Sequence, residues 1–198
     1  MKINEIFYSI QGEGSFAGRP AIFIRFSGCN LACPFCDTDF RSGMEMSTAQ
    51  IIEHIREIGK ACRFVVLTGG EPTLQVTEQF VDALQDAGYL VAMETNGTRP
   101  WPANLDWVTV SPKDIFCGER AALCKDNPWA DEIKVVYNGE NGHLLAKYEG
   151  LAGTLYIQPC DTGNPAKNAE ILKSAIEWLK DNPDWKLSLQ TQKIINVK

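Results

Sequence analysis

No apolar run in this sequence reaches the roughly 20 residues that a membrane-spanning helix needs. The opening Met1-Lys2-Ile3-Asn4-Glu5 lacks the apolar core of a secretory signal, so a cytoplasmic protein is expected. Basic charge is also short. Lys and Arg number 19 against 25 Asp and Glu, and the net charge is −6. A nucleic-acid partner normally calls for a basic patch, so none is expected. There is no internal repeat, no low-complexity tract and no dividing linker, and residues 1–198 are read as one domain with a sizeable core. The hydrophobic share of 44% and charged share of 22% are those of an ordinary globular chain.

Cysteine is not short. There are seven, an odd number and a poor basis for a disulfide framework. Three stand within eight residues, in Cys29-Asn-Leu-Ala-Cys33-Pro-Phe-Cys36. The C-x3-C-x2-C spacing can bring three thiolates to one point. A [4Fe–4S] cluster usually takes four thiolates. Three local ligands would leave one iron open, and open coordination positions are where metal centres do chemistry. A structural zinc site is the plainer alternative, with Cys62, Cys160 or a His as fourth ligand, although zinc ligands more often come as two separated pairs. Cys62, Cys117, Cys124 and Cys160 are otherwise read as reduced thiols, with Cys160 the one that could line a site.

The rest of the chain alternates between strand and helix patterns. Residues 3–10, 21–27, 64–68, 89–94, 107–110, 132–137, 154–158 and 185–190 read as strands. Ser47-x-x-Gln50 has the form of a capping box. Ile51, Ile55 and Ile58 come after it on one helical face, with Gly59 expected just past the helix end. A second helix carries Phe80, Val81, Leu84 and Ala87 and ends at Gly88. A third, over 168–181, turns Ile171, Leu172, Ala175, Ile176 and Leu179 inward. Residues 114–130 have weak periodicity and are left unassigned. The alternation implies parallel βαβ units. With only three convincing helices, a shortened, partly open barrel of mostly parallel α/β type fits better than an eight-fold one.

Chemistry-bearing residues cluster just after strands, where α/β folds place their sites. Gln11-Gly12-Glu13-Gly14 flanks a carboxylate with glycines, which suits either close backbone approach to a ligand or a plain turn. Arg25 interrupts an apolar strand and is costly there unless paired, by an acidic ligand or by a structural ion pair. Asp37-Thr38-Asp39 suits a hard cation such as Mg²⁺, or turn chemistry. Gly69-Gly70-Glu71-Pro72 alone is a weak signal.

Together, the cysteine triplet with Phe35 before its last member and the downstream Gly-Gly-Glu resemble the radical S-adenosylmethionine enzymes. In that family one electron from the cluster breaks a C–S bond of the sulfonium, and the 5′-deoxyadenosyl radical takes hydrogen from substrate. A finer resemblance is to the 7-carboxy-7-deazaguanine synthase family. It is carried in order by Gln11–Gly14, Arg25, Cys36-Asp37-Thr38, Thr68–Pro72, Glu94-Thr-Asn-Gly97, Ser111-Pro112-Lys113, Gln158-Pro159 and Leu189-Gln-Thr191. Those enzymes contract the ring of 6-carboxy-5,6,7,8-tetrahydropterin with loss of ammonia.

The resemblance implies a β6/α3 partial barrel, a Mg²⁺ requirement, a homodimer and a reductant protein such as a flavodoxin. It assigns Cys29, Cys33 and Cys36 to the cluster and Thr38 to Mg²⁺. Phe35, Cys36, Asp37, Gly70, Glu71, Ser111, Pro112 and Lys113 would bind S-adenosylmethionine. Ile10, Gln11, Gly12, Glu13, Arg25, Thr68, Gln158, Pro159, Cys160 and Asp161 would bind the pterin, with Arg25 on its carboxylate. No residue is assigned to proton transfer. Cys160-Asp161 and Gln192, the latter where a His is expected, depart from the family pattern. Two other functions stay open: a glycyl-radical-enzyme activase, which would need a protein-docking groove, and a zinc-binding interaction module, which would hold zinc and ignore S-adenosylmethionine.

Overall fold

The computed structural model describes residues 1–36 and 38–198. The expected Asp37 ligand therefore lies outside the described residues. The strands are β1 (Lys2–Ile10), β2 (Pro20–Phe26), β3 (Met44–Glu45), β4 (Phe64–Gly69), β5 (Leu90–Thr95), β6 (Trp107–Val110), β7 (Ala130–Tyr137), β8 (Ala152–Pro159) and β9 (Trp185–Leu187). The helices are α1 (Thr48–Gly59), α2 (Glu78–Asp86), α3 (Asp114–Cys117), α4 (Pro165–Asp181) and α5 (Thr191–Ile194).

All nine strands join one sheet in the order β3-β1-β2-β4-β5-β6-β7-β8-β9. From β2 to β9 the pairings are parallel, while β1 runs antiparallel to β2 and β3. The mostly parallel, open α/β class expected from the alternation is thus the one found.

Strand side chains alternate between two faces. Outward, Ile22, Ile24, Phe26, Val65, Leu67, Val91 and Met93 meet Ile51 and Ile55 of α1 and Phe80, Val81 and Leu84 of α2 in one buried cluster. Val108, Val110, Ile133, Val135, Leu155 and Ile157 form a second with Ile171 and Ala175 of α4. Inward, Ala21, Phe23, Phe64, Val66 and Ala92 form a smaller apolar floor.

Local signals set the helix starts. The Ser47 hydroxyl accepts from Gln50 N while the Gln50 side chain accepts from Ser47 N, completing the capping box. Asn164 caps α4, with Pro165 in its first turn.

Helix ends and edges depart from expectation. Gly59 is the last residue of α1, fully buried against Ile22, and Lys60 takes the left-handed turn at φ 44°. Packing against β2 leaves no room for a side chain at position 59. Ile176 is exposed, because the inward stripe of α4 runs through Ile171, Ala175 and Trp178, which meets Trp185 edge-on at 5.6 Å, and Ile176 lies off that stripe. β9 stops at Leu187, since the chain from Ser188 onward turns across the sheet mouth. The unassigned 114–130 stretch holds α3 and a tight 3-10 turn before entering β7.

The loop after β1 crosses to the far side of the sheet. Ser188 Oγ accepts from Gly14 N at 3.0 Å, Thr191 N donates to Gly12 O at 3.1 Å, and Ser15 N donates to Glu132 Oε2 at 2.8 Å. A sheet whose first loop reaches β7 and the chain beyond β9 is curled, and this crossing loop closes one side of its inner face.

Candidate active site

The inner face changes character along the strands. Phe23 gives way to Arg25 on β2, Val66 to Thr68 on β4 and Ala92 to Glu94 on β5. Lys134 and Val136 of β7 and Gln158 of β8 continue the ring. These side chains border a cavity of about 340 Å³ at the C-terminal ends of the parallel strands. The cysteine loop, which comes after β2, forms another wall with Cys29, Cys33, Phe35, Cys36 and Thr38.

Most predicted residues meet here: Ile10, Gln11, Gly12, Glu13, Arg25, Thr68, Gly70, Ser111, Lys113, Gln158, Pro159, Cys160 and Asp161 all border the cavity, beside the cysteines. Glu71 does not. It is fully buried, and its carboxylate accepts from Thr73 N at 3.1 Å, Thr73 Oγ1 at 2.7 Å, Thr95 Oγ1 at 2.7 Å and Asn96 N at 2.8 Å. Those bonds tie the loop after β4 to the end of β5, so the Glu71 side chain shapes the site from behind. Pro112 is likewise buried behind the wall.

Gly70 shows why that loop is built of glycine. A Cβ there would collide with the carbonyl oxygen of Gly28, one residue before the first cysteine. The Gly-Gly turn and the cysteine loop are packed backbone to backbone, and Glu71 N donates to Gly28 O at 2.8 Å.

Each thiol has a local partner. Leu31 N donates to Cys29 Sγ at 3.4 Å, Cys33 Sγ is 3.8 Å from Cys117 Sγ, and Cys36 Sγ donates to Thr38 O at 3.7 Å. Among the described residues no three His, Cys, Asp or Glu side chains stand close enough to share one ion. Burial raises the Cys29 thiol, and burial together with the Cys117 contact pushes Cys33 up to about 12. A metal centre takes thiols as thiolates, so its binding would release these protons. Burial lowers Lys113 to about 8; its ammonium donates to Ser111 O at 2.7 Å and Ser111 Oγ at 2.6 Å. Three thiols from one loop on a cavity wall form a donor set that fits an iron–sulfur cluster. The adjoining cavity gives room for its chelating cosubstrate.

Arg25 has two roles. Its Nε donates to Glu5 Oε1 at 2.9 Å across the antiparallel pair, where Glu5 and Arg25 stand opposite each other. Its Nη1 donates to Thr38 Oγ1 at 3.5 Å. The ion pair thus holds the guanidinium by one nitrogen and presents the others toward the cavity, beside the stacked Phe7 and Phe23 rings at 4.9 Å.

Sequence reasoning missed Glu94 and Asn96 as wall residues, although it quoted their motif, and it missed Lys134, Gln190 and Lys193. A lysine within the apolar run Ile133–Val136 was the signal that could have found Lys134. At the rim, Lys193 and the bonds from Gly163 N and Asn168 hold the Asp161 carboxyl well below its usual range. Gln192 Oε1 is buried with no hydrogen-bond partner among the described residues.

Comparison with known proteins agrees with this geometry. Residues 23–116 match the model of the Radical SAM superfamily. The 7-carboxy-7-deazaguanine synthase of Bacteroides thetaiotaomicron is 44% identical over 100% of this chain and 98% of its own length. The enzyme of the same name from Burkholderia multivorans is 41% identical over 98% of each chain. The crystal structure of QueE from Escherichia coli superposes with a TM-score of 0.79 at 30% identity, covering 96% of this chain and 93% of that one.

Proposed function

The chain belongs to the 7-carboxy-7-deazaguanine synthase family of radical S-adenosylmethionine enzymes, and we propose from this how its own residues carry the reaction. It is a lyase that contracts the ring of 6-carboxy-5,6,7,8-tetrahydropterin to 7-carboxy-7-deazaguanine with loss of ammonia, in queuosine-type 7-deazapurine biosynthesis. The glycyl-radical activase and zinc-module readings yield to full-length relatives that share this one activity.

Cys29, Cys33 and Cys36 hold the cluster. Phe35, Gly70, Ser111 and Lys113 contact S-adenosylmethionine, with Pro112 behind them. When bound, the cluster and S-adenosylmethionine supply the one-electron chemistry that activates a substrate C–H bond. The chain's contribution is placement. Arg25 binds the pterin carboxylate through the nitrogens that Glu5 leaves available. Thr68 and Gln158 flank the ring, and Phe7 and Phe23 keep water from one side of it. Supporting this reading is one observation above all: the cysteine wall and the Arg25 wall border a single cavity, so both reactants meet in one space.

We also propose that Thr38 would hold Mg²⁺, which would help to orient the pterin, together with a homodimer, a flavodoxin-type electron donor and a cytoplasmic setting for one catalytic domain over 1–198. Among the described residues no helix is long and apolar enough to cross a membrane. Exposed Ile194, Ile195 and Val197 offer apolar surface to a second copy.

The decisive experiment reconstitutes the protein anaerobically with iron and sulfide, then adds S-adenosylmethionine, dithionite and the carboxytetrahydropterin, with and without Mg²⁺. Formation of 7-carboxy-7-deazaguanine is expected. Cleavage of S-adenosylmethionine with no pterin consumed would overturn the substrate. Thr38→Ala should slow turnover and blunt the response to Mg²⁺; an unchanged Mg²⁺ response moves the ion elsewhere.

A further inference from the structure

Lys134 sits on the inner face of β7 with its side chain 5% exposed. Its Nζ lies 2.6 Å from Glu13 Oε2 and 3.7 Å from Glu94 Oε2. The other Glu13 oxygen accepts from Gln190 Nε2 at 3.1 Å and Gln192 Nε2 at 2.9 Å. Gln11 Nε2 donates to Glu94 Oε1 at 2.8 Å. One ammonium therefore joins the loop after β1 to β5 and β7, and the two glutamines beyond β9 complete the set. All six side chains border the cavity.

Burial opposes the charge on Lys134, but Glu13 and then Glu94 outweigh it and hold the lysine protonated. Burial would raise the Glu13 carboxyl, yet Lys134 and the two amides bring it down to about 2. Two carboxylates thus face this one ammonium, and Glu132 of the same strand acts on it as a further negative charge. Arg25, on β2, is a cation of the opposite wall; Lys113, Lys193 and Lys198 also border the cavity, the last two paired with Asp161 and Glu5. Without its two carboxylates, Lys134 would compete with Arg25 for an anionic group on the ligand.

We propose that Lys134 is a positioning residue that sets which way round the substrate lies. By joining Glu13 and Glu94 it makes the β5–β7 wall accept N–H groups of the pterin and repel its carboxylate, which is left to Arg25. The proposal rests on the pterin being the substrate. Glu13, with both oxygens engaged, anchors Lys134; Glu94, the more open of the two carboxylates, faces the ligand.

The test compares wild type, Lys134→Met and the double variant Lys134→Met/Glu13→Gln, all reconstituted. The readouts are melting temperature, calorimetric binding of the carboxytetrahydropterin, its KM and kcat, and the ratio of 5′-deoxyadenosine to deazaguanine formed. Lys134→Met should lose about tenfold or more in pterin binding and in coupling ratio, since small misplacements of a reactant are costly. Its S-adenosylmethionine binding should hold. The double variant removes the closest charge pair together, so its melting temperature should recover while coupling stays poor, because Glu94 keeps Gln11 but lacks the ammonium at its other oxygen. Coupling that returns with stability would make Lys134 a structural residue and overturn the proposal, as would normal coupling in Lys134→Met. Wild type that forms no deazaguanine would instead sink the substrate reading, and this inference with it.

Discussion

The two faces of the sheet are made by the same strands and obey different rules. On β2, β4 and β5 the outward residues Ile24, Leu67 and Met93 are apolar and fully buried under α1 and α2. The inward residues that alternate with them begin apolar, at Phe23, Val66 and Ala92, and end polar, at Arg25, Thr68 and Glu94. The outward face has helices to cover it and gains free energy from every apolar atom removed from water. The inward face has its own curvature and is covered by loops: the crossing loop after β1, the cysteine loop and the chain beyond β9. It can bury apolar groups at one end and keep polar ones at the other, where each must find a partner. Stability is thus concentrated on one side of a strand and chemistry at the far end of the other.

Substitutions on either face should separate the two properties. The largest effect is expected at the cysteine wall. Cys33→Ala should abolish cluster binding and turnover while leaving the melting temperature of the apo-protein nearly unchanged. Iron analysis and calorimetry measure both, and a variant that still holds a full cluster would break the assignment.

Arg25→Lys comes next. It keeps the charge but loses the fork, and losing a buried, charged hydrogen bond costs about 2–5 kcal/mol. Pterin binding should weaken by that amount while uncoupled cleavage of S-adenosylmethionine survives. If the melting temperature and iron content fall instead, the Glu5 pair is the main task of Arg25 and the polar end of the inner face serves the fold as well as the ligand.

Leu67→Ala probes the other face of the same strand as Thr68. A buried Leu→Ala change costs about 2–5 kcal/mol of stability. Denaturant midpoints should show that loss, with KM for the pterin unchanged in the protein that remains folded. A raised KM would mean that the two faces are not independent.

Ser47→Ala should have the smallest effect. It removes one half of the α1 capping box at a residue that does not border the cavity, for about 1 kcal/mol and no change in turnover.

What could be read without the structure was what the chain encodes locally. The C-x3-C-x2-C loop, the strand patterns, the Ser47–Gln50 cap and the glycines after β4 each depend on residues a few positions apart. These local signals were enough for the open, parallel α/β class and for most of the cavity wall. Two kinds of feature were not legible. Arg25 was ambiguous alone, because its partner Glu5 is set by antiparallel register between β1 and β2. Glu71 carries a motif that points to a ligand, yet its carboxylate is used by Thr95 and Asn96 at the end of the next strand. Lys134 and Glu13 are 121 positions apart, and the glutamines that complete their set lie 177 and 179 positions from Glu13. No local pattern specifies such contacts. They exist because a nine-stranded sheet curls until its first loop meets its last strands, and the partner of a buried charge is decided only when that closure brings the two walls within reach.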